Sequence, residues 1–306
     1  VDTKQIGVRW MDAWMDEQGQ REKKLSKFTV GFLERVLCGY WKLELGSRGE
    51  NATGRSCAET LPPFIHQAQV RQDSADVVQA LTTSRELVKM WQDCQEPEVR
   101  QHILLSVRGE MDGLIREYPR LDSIRLLVSF QSFLVYILMV HLSPPLGAPS
   151  SLVSGDTVLQ LQEFASHVSS AGLFSQAELQ HKRPKWESWI IAEAKRRTIY
   201  VTYLFNNLYQ AQHGMPIFLA EELSGMLLPA TKKLWEAQKR EEWEREYEKH
   251  LEKWPNGYLK ISELWSMEGI PEEEKQWRKK KVEMWLEDVD DFGMMLFATC
   301  AHIHGC

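Results

Sequence analysis

The sequence predicts an all-α fold: a large bundle of antiparallel helices around one long, buried central helix. Apolar residues recur at helical spacing through most of the 306 residues. Prolines stand where those stretches begin or end. No run of alternating β-branched residues bounded by hairpin turns interrupts them.

Taken in order, residues 1–20 carry IGVRWMDAWM, apolar but without clear period, and read as an extended strap held by Trp10 and Trp14. Residues 24–43 read as a helix through Phe28, Phe32, Val36 and Tyr40, weakened by Gly31 and Gly39. Small polar residues over 46–61 make a loop, and Pro62-Pro63 fixes an extended backbone before Phe64 and Ile65. The next helix, 74–94, buries Val77, Val78, Leu81, Val88 and Trp91. Pro97 suits a first helical position, and Val99, Ile103, Val107, Met111, Leu114 and Tyr118 continue the stripe until Pro119.

Residues 126–142, LLVSFQSFLVYILMVHL, are apolar nearly all round. The run is short for a membrane span and contains Ser129, Gln131, Ser132 and His141, which favours a core helix. After a Pro/Gly/Ser linker over 143–155, Asp156 suits an N-cap, with Val158, Leu161, Phe164 and Val168 behind it. Ser175 and Glu178 have capping-box spacing. The stretch 186–212 is the central helix, closed by Gly214 and by Pro216, which forbids its resumption. A second long helix is expected over 231–254, with Trp243, Tyr247, Leu251 and Trp254 inward and a solvated charged face outward. Pro255-Asn256-Gly257 is a turn. A last helix runs through Trp277, Val282, Trp285 and Leu286, before DDFGMMLFATCAHIHGC, which is too apolar for a tail.

A net charge of −6 argues against this chain gripping nucleic acid by itself, because phosphate neutralisation needs clustered Lys and Arg. The five cysteines (Cys38, Cys57, Cys94, Cys300 and Cys306) form no CxxC pair. Reduced thiols of the cytosol or nucleus are therefore expected, rather than a disulfide framework.

Candidate chemistry is sparse. Glu287, Asp288 and Asp291 have the spacing of an acidic motif that holds magnesium and a diphosphate in all-α isoprenoid enzymes. The second metal-binding helix such an enzyme needs is missing at Asn206-Asn207, so acidic residues at a helix junction are the plainer reading. Cys300, His302, His304 and Cys306 are ligands by type, with His66 and His102 as further donors, yet their spacing does not converge on a tetrahedral site. No nucleophile elbow, P-loop or dinucleotide fingerprint occurs, and no catalytic residue is assigned. Glu193, Arg196 and Arg197 stand apart: the carboxylate reaches both guanidiniums along an apolar helix line. A buried structural clamp is the expectation, with an anion or effector site as the alternative.

WESWIIAEAKRRTIYVTYLFNNL, followed by GMP, EEL and LLPA, resembles the middle homology region of fungal zinc-cluster transcription factors. LPPFIHQAQ, SFQSFLVYILM, LWEA with WEREY, and DDFGMMLFA are similar to segments of the same family, so the likeness covers most of 60–306. Relatives often carry Asp where Asn206 or Asn207 stands, which questions a polar contact there. The resemblance implies a non-enzymatic regulatory domain over 61–306, preceded over 1–60 by the strap and first helix. It implies a nuclear regulator of metabolic or secondary-metabolite genes. It also implies DNA contact only through a six-cysteine zinc module outside this sequence, and no cofactor within it. Co-regulators, a homodimer partner and a small-molecule effector are the partners it suggests, with no membrane.

Overall fold

Helix boundaries follow from caps that satisfy the unpaired amides and carbonyls at helix ends. A computed structural model describes residues 1–15, 23–42, 61–70, 75–143, 153–265 and 269–304, the side chains of 10–15, 75–77 and 304 excepted. Among these residues it holds α1 (Thr3–Met15), α2 (Lys27–Tyr40), α3 (Gln67–Val70), α4 (Ala75–Asp93), α5 (Pro97–Glu117), α6 (Ser123–Leu142) and α7 (Gly155–Ser170). Then come α8 (Gln176–Leu179), α9 (Trp186–Gln212), α10 (Lys232–Glu236), α11 (Arg240–Lys253), α12 (Glu272–Leu286) and α13 (Asp291–His304). No strand forms among the described residues; three isolated bridges join loops. The fold is all-α.

Pro97 is the first residue of α5, where its missing amide costs nothing. Asp122 caps α6 by accepting from Ile124 N and Arg125 N, both at 3.0 Å. The cap of α7 is Ser154 rather than Asp156, because Ser154 and Thr157 serve each other's amides reciprocally. Asp156 falls in the first turn, where its charge still suits the dipole. The Ser175–Glu178 box forms and opens α8. At the end of α9, Gly214 takes φ +66°. Met215 N then reaches Gln210 O at 2.8 Å and Gly214 N reaches Ala211 O at 3.3 Å, the paired bonds of a Schellman turn. Pro216 follows half-buried, and Ile217 O accepts from Lys23 N at 2.8 Å.

Two helices, not one, occupy the centre. α6 buries 15 of its 20 residues and touches α2, α4, α5, α7 and α9. It is long and apolar enough to cross a membrane, but its enclosure by five helices is that of a core helix. α9 buries 20 of its 27 residues and touches α2, α6, α7 and α11. Beside the main core, a second apolar cluster joins the start of α9 (Trp189, Ile190) to Trp235, Trp243 and Tyr247.

Several expectations need correction. The segment read as a strap is helix α1, packed on α7 with Ile6 in the core and Gly7 close to Ser166. A Cβ at Gly7 would lie 3.2 Å from the Ser166 side chain, so glycine permits the close approach. α2 turns Leu33 and Leu37 inward, with Val30, Val36 and Tyr40 beside them, and leaves Phe28 92% exposed. The expected line therefore holds at Val36 and Tyr40 and fails at Phe28 and Phe32, which face solvent. Val99 and Trp277 likewise face solvent. The helix expected over 231–254 is broken at Ala237, whose backbone is extended (φ −60°, ψ 121°). Trp235 and Trp243, on either side of the break, are both buried. The Trp10 and Trp14 side chains, the loop expected over 46–61 apart from Leu61, and Cys57 lie outside the described residues.

Candidate functional site

Helical spacing puts Glu193, Arg196 and Arg197 on neighbouring turns of α9, and the fold buries all three. Glu193 Oε2 accepts from Arg196 Nε at 3.1 Å and Nη2 at 2.9 Å. Its Oε1 accepts from Arg197 Nε and from the Ala230 amide, each at 2.9 Å. The clamp expected from spacing is thus formed, and Ala230 extends it into the LLPA segment.

The guanidiniums carry the network outward. Arg196 donates to Leu173 O at 2.8 Å and to Glu178 Oε1 at 2.9 Å. Glu178 Oε2 meanwhile accepts from Ser175 N at 2.8 Å, so the capping carboxylate of α8 is shared with the clamp. Arg197 donates to Asp290 Oδ2 at 2.6 Å, Pro63 O at 3.2 Å and Ala230 O at 3.3 Å. Asp290 Oδ1 accepts from Gly293 N at 3.0 Å and so starts α13. Arg197 also lies 4.3 Å from the Trp235 ring centroid and 5.3 Å from that of Phe292. Four chain segments, far apart in sequence, meet on one turn of α9.

Burial pushes the Glu193 carboxyl up, but Arg196 and Arg197, helped by the Ala230 amide, outweigh it and hold the group below the ordinary carboxylate range. Burial opposes charge on Arg196 as well; Glu178 and Glu193 reverse this and push it up. Each guanidinium makes four hydrogen bonds inside the protein. An arginine has five N–H groups, so little donor capacity remains for an anion. The geometry favours the clamp over the anion site.

On another face of the same turn, Lys195 is buried with no carboxylate partner among the described residues. Its ammonium donates to Ser123 Oγ at 2.8 Å and to Ala171 O and Gly172 O at 3.1 Å. Those carbonyls end α7, where a cation suits the dipole. Burial lowers its pKa to about 8. A further network ties α1 down: Glu222 Oε1 accepts from Arg9 Nη1 and from Tyr203 Oη, both at 2.7 Å.

The other candidates disperse. Asp288 meets Lys253 Nζ at 2.6 Å, and Glu287 faces the same ammonium at 3.7 Å. Asp291 is exposed at the start of α13, while its neighbour Asp290 is the residue that enters the clamp. Cys300 is buried, His302 Nε2 accepts from Ser26 N at 3.3 Å, and the His304 side chain and Cys306 lie outside the described residues. His66 stacks edge-on against Trp235 at 4.8 Å; His102 contacts Glu98 O of its own helix. Among the described residues no group of three or more His, Cys, Asp and Glu converges to hold a metal. Asn206 is buried with both amide atoms unpartnered among the described residues, and Asn207 borders a small cavity.

Two larger cavities flank the clamp. One of about 570 Å³ lies beside Asp290, between Pro62-Pro63, His66, Lys232 and Trp235. The other, of about 440 Å³, has Glu193 and Arg196 in its floor and Trp189, Tyr247, His250 and Tyr258 among its walls.

Sequence reasoning missed the clamp's distant partners. Asp290 carried a usable signal, the N-cap spacing to Gly293, and Glu178 carried one in its capping box. Pro63 O and Ala230 O carried none, since every residue has a carbonyl.

No curated protein matches this chain, and no solved structure matches it. The family model described as the fungal specific transcription factor domain matches residues 137–299, more than half of the sequence. That span includes the last part of α6, all of α7 to α12, the clamp, and α13 as far as Thr299. The chain therefore belongs to the fungal-specific transcription factor domain family.

Proposed function

We propose that this chain is the regulatory part of a zinc-cluster transcription factor that acts in the nucleus. In this reading DNA is contacted by a separate zinc-bearing segment. The helical domain adjusts the output through co-regulators, through pairing with a second copy and through a small-molecule effector, on metabolic or secondary-metabolite genes. It performs no catalysis. The observation that carries the reading is the clamp: the matched span is organised around a buried polar network that ties distant segments to α9, as suits a regulatory scaffold. The net charge of −6 supports a division of labour in which another segment holds the phosphates.

The test is a reporter assay in a fungal host. Residues 1–306 are fused to a heterologous DNA-binding module, and output is compared with the module alone across carbon, nitrogen and xenobiotic conditions. Output that depends on the domain and on the condition is expected. Output equal to that of the module alone in every condition refutes the reading.

A further inference from the structure

The cavity of about 440 Å³ falls within the range of small-molecule sites. It is walled by the first half of α9, by α11, and by the loops around 225–230 and 255–260. Its walls hold consecutive ring contacts: Tyr247 to His250 at 5.3 Å between centroids, and His250 to Tyr258 at 4.7 Å. Trp189 packs against Tyr247 at 6.4 Å. One wall atom is an unspent polar group: His250 Nδ1 is buried without a hydrogen-bond partner among the described residues, and the Tyr247 ring stands beside it. Burial first, and His181 second, lower the His250 pKa to about 4, so the ring is neutral at physiological pH.

The floor decides the charge of the occupant. A carboxylate or phosphate would meet Arg196 with four hydrogen bonds already made, and would lie beside Glu178 and Glu193. An ammonium would meet a Glu193 whose two oxygens each accept two hydrogen bonds. Neither Glu193 nor Arg196 offers an open charge partner in that floor, whereas a ring face finds aromatic walls. We propose that this cavity is the effector site of the domain, and that its ligand is an uncharged, ring-bearing molecule which stacks among Tyr247, His250 and Tyr258 and hydrogen-bonds to His250. The assignment rests on the sensing reading above. It also places the ligand against the clamp, so occupancy would bias the packing of α8 and α11 on α9.

Three probes of one shape test it: naphthol (uncharged), naphthoate (an anion) and naphthylmethylammonium (a cation). Binding to the whole chain is measured by calorimetry and saturation-transfer NMR. Naphthol is expected to bind at least about tenfold more tightly than either ion. Leu251→Trp, which fills the cavity from α11, is expected to abolish that binding. Leu179 is 66% exposed at the rim, so Leu179→Trp supplies a second block with little risk to folding. No naphthol binding, equal binding of all three probes, or binding retained in both variants overturns the proposal. The reporter separates the two readings. If it stays silent although naphthol binds, sensing falls and the cavity stands. If it responds equally in wild type and Leu251→Trp, the cavity falls and sensing stands.

Discussion

α6 and α9 lie side by side in the centre of the molecule and are buried by opposite chemistries. The buried part of α6 is aliphatic and aromatic apart from Ser129, Gln131 and Ser132. The buried part of α9 includes Glu193, Lys195, Arg196, Arg197, Thr198, Thr202, Asn206 and Gln210. Apolar burial on α6 is non-directional and rewards area removed from water. The charges of α9 are stable only with their partners in fixed places, because each unpaired group would be stranded in a poor solvent. α6 supplies cohesion, while α9 specifies which distant segments dock and where. The clamp's reach to Pro63, Glu178, Ala230 and Asp290 shows the second role.

The largest expected effect is loss of a clamp member. Arg197→Ala leaves Glu193 and Asp290 short of a counter-charge, and should cost about 3–5 kcal/mol. Phe133 is fully buried on α6, 5.9 Å from the Phe164 ring, and Phe133→Ala should cost a similar ~3–5 kcal/mol. Both are read by denaturant unfolding. An unchanged midpoint for Arg197→Ala would mean that the pair is not buried. Acid adds a sign: the Glu193 pKa is depressed in the folded state. Its contribution is therefore present at neutral pH and lost as the pH falls through that folded value.

Truncation does not separate the two helices, but conservative exchange does. Arg197→Lys keeps the charge and loses the planar fork that serves Glu193, Asp290, Pro63 and Ala230 together, at a cost of about 2–3 kcal/mol. Leu134→Met on α6 conserves volume and should cost less than about 1.5 kcal/mol. Equal costs would erase the distinction between cohesion and specification.

Lys195 sharpens the comparison through pH. Its folded pKa of about 8 lies below the ordinary lysine value, so the folded protein releases the proton first. Between about pH 8 and the ordinary lysine value the unfolded chain binds more protons, and stability rises with pH by on the order of 2–3 kcal/mol. Below pH 8 both states are protonated and the penalty is fully present. In Lys195→Met this rise should vanish relative to wild type, measured as unfolding midpoints from pH 7 to 10. Parallel pH profiles would place the ammonium in water.

α9 was legible to the residue because both ends are marked: an apolar start after Pro184, and the Gly214 and Pro216 signals after Gln212. The break between α10 and α11 was not, since Ala237-Gln238-Lys239 contains no glycine or proline to mark it. α2 was found with half its inward line right, because Val36 and Tyr40 pack on the core while Leu33 and Leu37, on a neighbouring line, replace Phe28 and Phe32 there. The heart of the clamp was visible because Glu, Arg and Arg lie within one turn. Its outer partners were invisible because long-range contacts to carbonyls leave no mark on local spacing.

Asn206 gives the smallest effect and the most direct test of whether polar burial on α9 always specifies contacts. It is 1% exposed, and neither Oδ1 nor Nδ2 has a partner among the described residues. An unmade amide pair costs stability, whereas an apolar side chain of similar shape does not. Asn206→Leu should therefore raise stability by about 1 kcal/mol, visible as a higher unfolding midpoint at constant slope. A loss of more than about 1 kcal/mol would instead reveal a partner for the amide. In that case the polar residues at the far end of α9 specify contacts as those of the clamp do.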